Sequence, residues 1–256
     1  MDFTLEAYSR LLDALSGYNI VTVEDFLSGK ASEPFCVLRH DVDRFPSRAS
    51  RMARLEKRLG VRATYYFRWL PEAAPDIPGE PGFPAKEVIE CKLFGHEVGY
   101  HYENLSALAA LKENGGKNPS ELQAKALEDF ASKLALLREI APVWTAAMHG
   151  APRSKVDNSE LLRGVELAQY GILGEPYLSP QFTDVTYITD SGRTWSSGEA
   201  SVRDRLGKPL EEKVKSTDAL IELLNSRKYP RLMVRASPHR WAAGTFERLL
   251  DTLKRV

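Results

Sequence analysis

Apolar residues along the 256-residue chain recur with two different periods. Leu5, Tyr8, Leu11, Leu12 and Leu15 return every three or four positions, which predicts a helix over 4–16. Further helices are predicted over 47–59, where Gly60 ends the run, over 86–94, from 118 to a stop before Pro142, over 216–226 and over 245–255. Asn118, Pro119 and Glu121 form a helix start: a capping side chain, a proline at the first helical position and a carboxylate at the third. Between these lie short apolar runs, PFCVLRH, ATYYFRW, HEVGY, VWTAAM and RLMVRA, which read as strands. The Pro- and Gly-rich stretch 71–84 reads as a loop. The segment 171–207, with its turn residues and aromatics, reads as a long excursion from the core.

Strands separated by helices predict an α/β fold, either a parallel sheet or a β/α barrel. There is no internal repeat, low-complexity tract or dividing linker, so 1–256 is expected to form one domain. Charge narrows the partners. The 35 Lys and Arg balance 35 Asp and Glu, which leaves no electrostatic case for nucleic acid or an anionic membrane. The N-terminus, MDFTLEAYSRLLDAL, has neither the basic nor the apolar part of a signal peptide, and no apolar run reaches the roughly 20 residues of a transmembrane helix. Cys36 and Cys91 form no CxxC and are expected as buried, reduced thiols. These features together predict a cytoplasmic protein.

The chemistry gathers where strands end. In CVLRHDVD an apolar run closes on Arg39, His40, Asp41, Val42 and Asp43, and charges there need partners or water. His40, His101, His149 and His239 lie at or just past strand ends, with His96 just upstream. Strand alternation puts Asp41 and Asp43 on one side, roughly 7 Å apart, and His40 and Val42 on the other. Such a pair can divide the labour, one carboxylate binding a cation while the other takes a proton from water on that cation. His101 and Glu103 also share a side, and imidazole with carboxylate suits zinc or another first-row divalent ion.

Plainer readings stand beside these. Asp41 and Asp43 also fit as caps of the next helix, His149 as a turn residue and His239 as an exposed loop residue. Glu103 reads as an ion-pair partner as well as a site residue. Trp195 and Trp241 fit either the core or a sugar-stacking surface. Arg153 fits either a surface charge or a clamp on an anion or sugar.

Taken together, CVLRHDVD, ATYYF, GHEVGYHYENL and MHGAPRSK resemble the polysaccharide deacetylase (NodB-homology) superfamily, and within it short deacetylase-like proteins associated with O-antigen and other surface-polysaccharide biosynthesis. The resemblance runs over nearly the whole chain. It implies a distorted, incomplete β/α barrel that removes an acetyl group from an N-acetylated sugar or sugar-linked intermediate with one divalent metal ion, zinc by default. It assigns Asp41 as general base and Asp43 and His101 as metal ligands. It also puts a motif at His149 to Arg153 whose arginine steers the base, and makes His96 structural.

Two positions depart from the family pattern. Leu105 stands where a second metal-binding histidine is usual, which leaves His149, or else Glu103, as the third ligand. Ser237 stands where the family has its acid histidine, so that role moves to His239. Glu103, Arg153, Trp195 and Trp241 complete the expected substrate-binding set. Two other functions fit the same residues: a non-catalytic sugar-binding protein on a degenerate deacetylase fold, and a metal-dependent hydrolase of a non-sugar substrate. Gly99, between the polar clusters of its strand, marks the close approach of a neighbour below the site.

Overall fold

The structure, a computed structural model, describes residues 2–71, 81–114, 118–198 and 203–253. Seven strands pair in parallel: β1 (Asn19–Val21), β2 (Phe35–Val42), β3 (Thr64–Phe67), β4 (Glu97–Tyr102), β5 (Val143–Met148), β6 (Thr186–Thr189) and β7 (Arg231–Arg235). Their order is β5-β4-β3-β2-β7-β6, and β1 pairs with the first half of β2 on the side where β3 takes the second half. The helices are α1 (Leu5–Leu15), α2 (Val23–Leu27), α3 (Pro46–Arg58), α4 (Ala85–Leu93), α5 (Asn104–Ala109), α6 (Pro119–Ile140), α7 (Thr217–Asn225) and α8 (Thr245–Leu253).

The local signals explain most boundaries. Thr4 caps α1 by accepting from the Ala7 N–H, Asn118 caps α6 by accepting from Glu121, and Ser216 caps α7 by accepting from Ala219. Gly60, at φ +71°, ends the α3 segment in a conformation that costs a glycine little. The cap before α3 is Phe45, which offers no capping side chain, so neither Asp41 nor Asp43 is consumed as a helix cap. The predicted helix over 245–255 continues into residues outside those described, as does the middle of the 71–84 loop. Two strands and two helices went unread: β1, α2, α5, and β6 inside the 171–207 excursion.

β2 shows how the sheet is buried on both faces. Cys36, Leu38 and Val42 join the outer core beneath the helices, while Phe35 and Val37 join a second, inner cluster. Ala147 of edge strand β5 and Tyr187 of edge strand β6 meet in that inner cluster with Tyr66 and Met233. The sheet therefore curls about its inner face. It does not close: β5 pairs onward with Gly174 and β6 with Lys208, both from the irregular chain that follows β5. This is an α/β fold built as an incomplete β/α barrel, as expected.

One irregularity governs the site. Val98 and Tyr100 of β4 face Val143 and Ala146 of β5, so two steps on β4 match three on β5. This bulge reverses the parity of β5. Val143 faces the outer core, yet Ala147 faces inward and His149 follows it to the cleft.

Candidate metal centre

A cleft of about 750 Å³ opens at the carboxyl ends of the strands, and Asp43, His101 and His149 line it. Each comes from a different strand end: Asp43 after β2, His101 near the end of β4 and His149 after β5. Their ligating atoms lie within 4.8 Å of one another. Asp43 Oδ1 is 3.2 Å from His101 Nε2 and 3.7 Å from His149 Nε2. Two donors on one tetrahedral ion with bonds of about 2.1 Å stand about 3.4 Å apart, so these spacings suit a single zinc-like ion.

The tautomers suit it as well. His101 Nδ1 donates to the Ala147 carbonyl at 2.9 Å, and His149 Nδ1 donates to Glu103 Oε2 at 2.8 Å. With Nδ1 engaged in this way, each ring turns its Nε2 toward Asp43, the nitrogen whose lone pair a bound ion would take in place of a proton. Glu103 is not placed as a ligand. It holds His149, and its other oxygen lies 3.1 Å from Arg68 Nε. His149 thus stands where the third donor was expected, and its ring is engaged by Glu103 beyond what a simple turn residue needs. Leu105 is buried in the outer core on α5.

Asp41 sits deeper. Its Oδ2 accepts from Arg39 Nη2 at 3.1 Å and Arg235 Nη1 at 2.9 Å, while Oδ1 is buried with no protein partner among the described residues. Burial pushes its pKa up, but the two guanidinium groups outweigh burial and hold it at about 2. It lies 4.0 Å from His101 Nε2. Arg39 and Arg235 belong to a buried network in which Asp204 pairs with Arg235 at 3.1 Å and accepts from Tyr177 and Tyr187. An arginine beside Asp41 was expected from the segment after His149. It comes instead from β2 and β7, and Arg153 lies exposed at the cleft rim. Alternation on β2 carried the signal for Arg39, because it shares a side with Asp41. Nothing local announced Arg235 or Asp204.

His239 follows β7 in a 3-10 turn and lines the cleft, with Nδ1 3.9 Å from Asp43 Oδ2. Burial pushes its pKa down to about 4. Ser237 is fully buried. His96 is structural: its Nδ1 accepts from the Ala63 N–H and its Nε2 donates to the Ala53 carbonyl. Below β5, buried Glu175 accepts from Met148 N and Tyr177 N, tying down the strand end before His149, and burial lifts its pKa to about 7.

The two tryptophans are corrected. Trp195 and Trp241 are 3% and 1% exposed and pack with Phe3 and Tyr8, ring centroids 5.1–6.0 Å apart. Their indole N–H groups donate to Thr217 and Asp190. They form a core cluster and do not line the cleft, because once both rings are buried neither face is left for a sugar.

No protein-family model matches the chain, and no curated protein matches it. Among solved structures it is similar to a family 4 carbohydrate esterase from Bacillus anthracis, at 11% identity and a TM-score of 0.41, over 95% of this chain and 84% of that one. It is also similar to a CE4 esterase of Streptococcus mutans, at 13% identity and a TM-score of 0.45, over 94% of this chain and 89% of that one.

Proposed function

We propose that the protein is a metal-dependent carbohydrate N-deacetylase, acting as one cytoplasmic domain on an N-acetylated sugar or sugar-linked intermediate of O-antigen or other surface-polysaccharide biosynthesis. The observation that carries this reading is the meeting of Asp43, His101 and His149 at the cleft floor beside a buried carboxylate, Asp41, that keeps one oxygen free.

Asp43, His101 and His149 would hold the ion, zinc by preference for one carboxylate and two imidazoles, and leave it an open position. A divalent ion there supplies Lewis-acid polarisation of an acyl oxygen and a lowered pKa for water. Asp41 takes a proton from the water that attacks the amide carbonyl, at the oxygen not committed to arginine. Arg39 and Arg235 hold that carboxylate in one orientation and keep it ionised at ordinary pH. His239, across the cleft, delivers a proton to the departing amine. It is neutral at rest, so it must take up a proton within the cycle, and the water's proton held on Asp41 balances the one given to nitrogen. Glu103 and Arg68 keep His149 oriented.

Acetate release from N-acetylated sugars, nucleotide sugars and polysaccharide fragments tests the proposal, using protein stripped by chelator and then reloaded with zinc. Release that is lost on stripping and restored on reloading is expected. Sugar binding with no acetate release from any substrate would favour the non-catalytic alternative.

A further inference from the structure

Six arginines line the cleft, Arg44, Arg68, Arg153, Arg203, Arg235 and Arg240, against three acidic residues, Asp43, Glu103 and Asp204. This imbalance sits in a chain of zero net charge. Four of the six are already engaged. Arg235 pairs with Asp41 and Asp204, Arg68 with Glu103, and Arg240 with Asp190. Arg203 spends its guanidinium on the carbonyls of Gly150, Ala151 and Ser154, at 2.8–3.0 Å, and lies 3.8 Å from Asp157. Arg44 and Arg153 remain, exposed and without a hydrogen bond or ion pair among the described residues.

Their positions are not independent of the site. Arg44 directly follows Asp43, and Arg153 lies four residues after His149, so the two loops that each bring a ligating group to the cleft floor also bring an unpaired guanidinium to its mouth. The Arg153 loop is held in shape, since Arg203 anchors three of its carbonyls and Ala151 takes φ +39°. A guanidinium presents planar paired donors that match a carboxylate or a phosphate, and a cleft with low-dielectric walls concentrates its field. A neutral sugar would leave both charges unanswered.

We propose, resting on the deacetylase reading of this site, that the substrate is an acidic sugar whose carboxylate or phosphate lies near the reacting acetamido group and is gripped by Arg44 and Arg153.

Calorimetric binding of three probes to the zinc-loaded protein tests this: N-acetylglucosamine as the neutral reference, N-acetylmuramic acid for a carboxylate source and N-acetylglucosamine 1-phosphate for a phosphate source. At least one charged probe is expected to bind about tenfold more tightly than the neutral one, as one charge-assisted grip supplies. That preference should shrink as salt is raised. Which charged probe wins names the source. The Arg44→Gln/Arg153→Gln double variant should unfold at the wild-type temperature and bind all three probes alike. Equal binding of the three by wild type, or a preference kept by the double variant, overturns the proposal. Acetate release from neutral sugars without any charge preference would sink this inference and leave the deacetylase standing. An arginine-dependent preference with no acetate release from any probe would do the reverse.

Discussion

Glu103 accepts the Nδ1–H of His149 at 2.8 Å, and through that bond a residue after β4 sets the donor nitrogen of a residue after β5. An ionised carboxylate can only accept, so a proton sits on Nδ1, and Nε2, which faces Asp43, is the nitrogen left to bind an ion. Glu103→Ala frees the ring. Metal affinity, measured by competition with a chromophoric chelator, should fall about 10- to 100-fold while the unfolding temperature of the metal-free protein changes little. Undiminished affinity would mean that His149 needs no such orientation.

His101→Ala removes one of the three donors. Elemental analysis of protein purified without chelator should find about one zinc per wild-type chain and markedly less in the variant. Equal metal in the two would remove His101 from the centre.

Asp41→Asn separates base from ligand. Metal content should be kept, and acetate release should fall by about 10² to 10⁴. Stability should drop too, by about 3–5 kcal/mol, because two buried arginines lose a shared counter-charge. Acetate release at the wild-type rate would refute the assignment of Asp41 as base.

Gly99→Val tests packing beneath the site. A β-carbon at Gly99 would stand 2.3 Å from Cε1 of the buried Tyr66 ring and 3.2 Å from the Thr145 carbonyl oxygen. The ring has little room to move, so the cost should meet or exceed the roughly 1–3 kcal/mol of ordinary overpacking. A melting temperature equal to wild type would show that Tyr66 moves aside freely.

On the outer face of β2, His40 Nε2 donates to Glu56 Oε1 at 2.8 Å, and Tyr8 and Tyr65 also donate to Glu56. Burial pulls the His40 pKa down, but Glu56 more than reverses this and raises it above its ordinary 6.5. Burial pushes Glu56 up, but His40 outweighs it and lowers the carboxyl below 4.5. The histidine's contribution is complete below pH 6.5 and fades as pH rises through its raised value. The carboxylate's is complete above pH 4.5 and fades as pH falls through its lowered value. The stability lost in Glu56→Gln, followed by denaturant unfolding across pH, should therefore be greatest between about 4.5 and 6.5. A pH-independent difference would show that the pair is not ionised.

Much of this protein is legible in one dimension because its signals are local. Helical spacing, the Asn118 cap and the Gly60 stop depend on neighbours a few residues away, and they placed α1, α3, α6 and α7 within one or two residues. Alternation along β2 separated Asp41 and Asp43 from His40, since side-chain direction in a strand is set by the backbone alone. β1 and α5 escaped because they are 3 and 6 residues long, too short for a period to declare itself. β6 escaped because its 4 residues lie among the turn residues of 171–207, whereas the equally short β3 sits in a continuous aromatic run.

Contacts between distant segments needed the folded chain. The bulge in β5 reverses which residues face inward, so His149 reaches Asp43 against the parity of Val143. Arg235 meets Asp41 across 194 residues because β7 pairs with β2, a pairing no local pattern records. Trp195 and Trp241 carry the same ring whether they stack on a sugar or fill a core. Their burial against Phe3 and Tyr8 depends on how the chain termini and the late loops pack together. Composition names the groups able to do chemistry here. Which of them meet is decided by strand order and register, because atoms that act together must lie within a few ångströms and the chain brings them there only by folding.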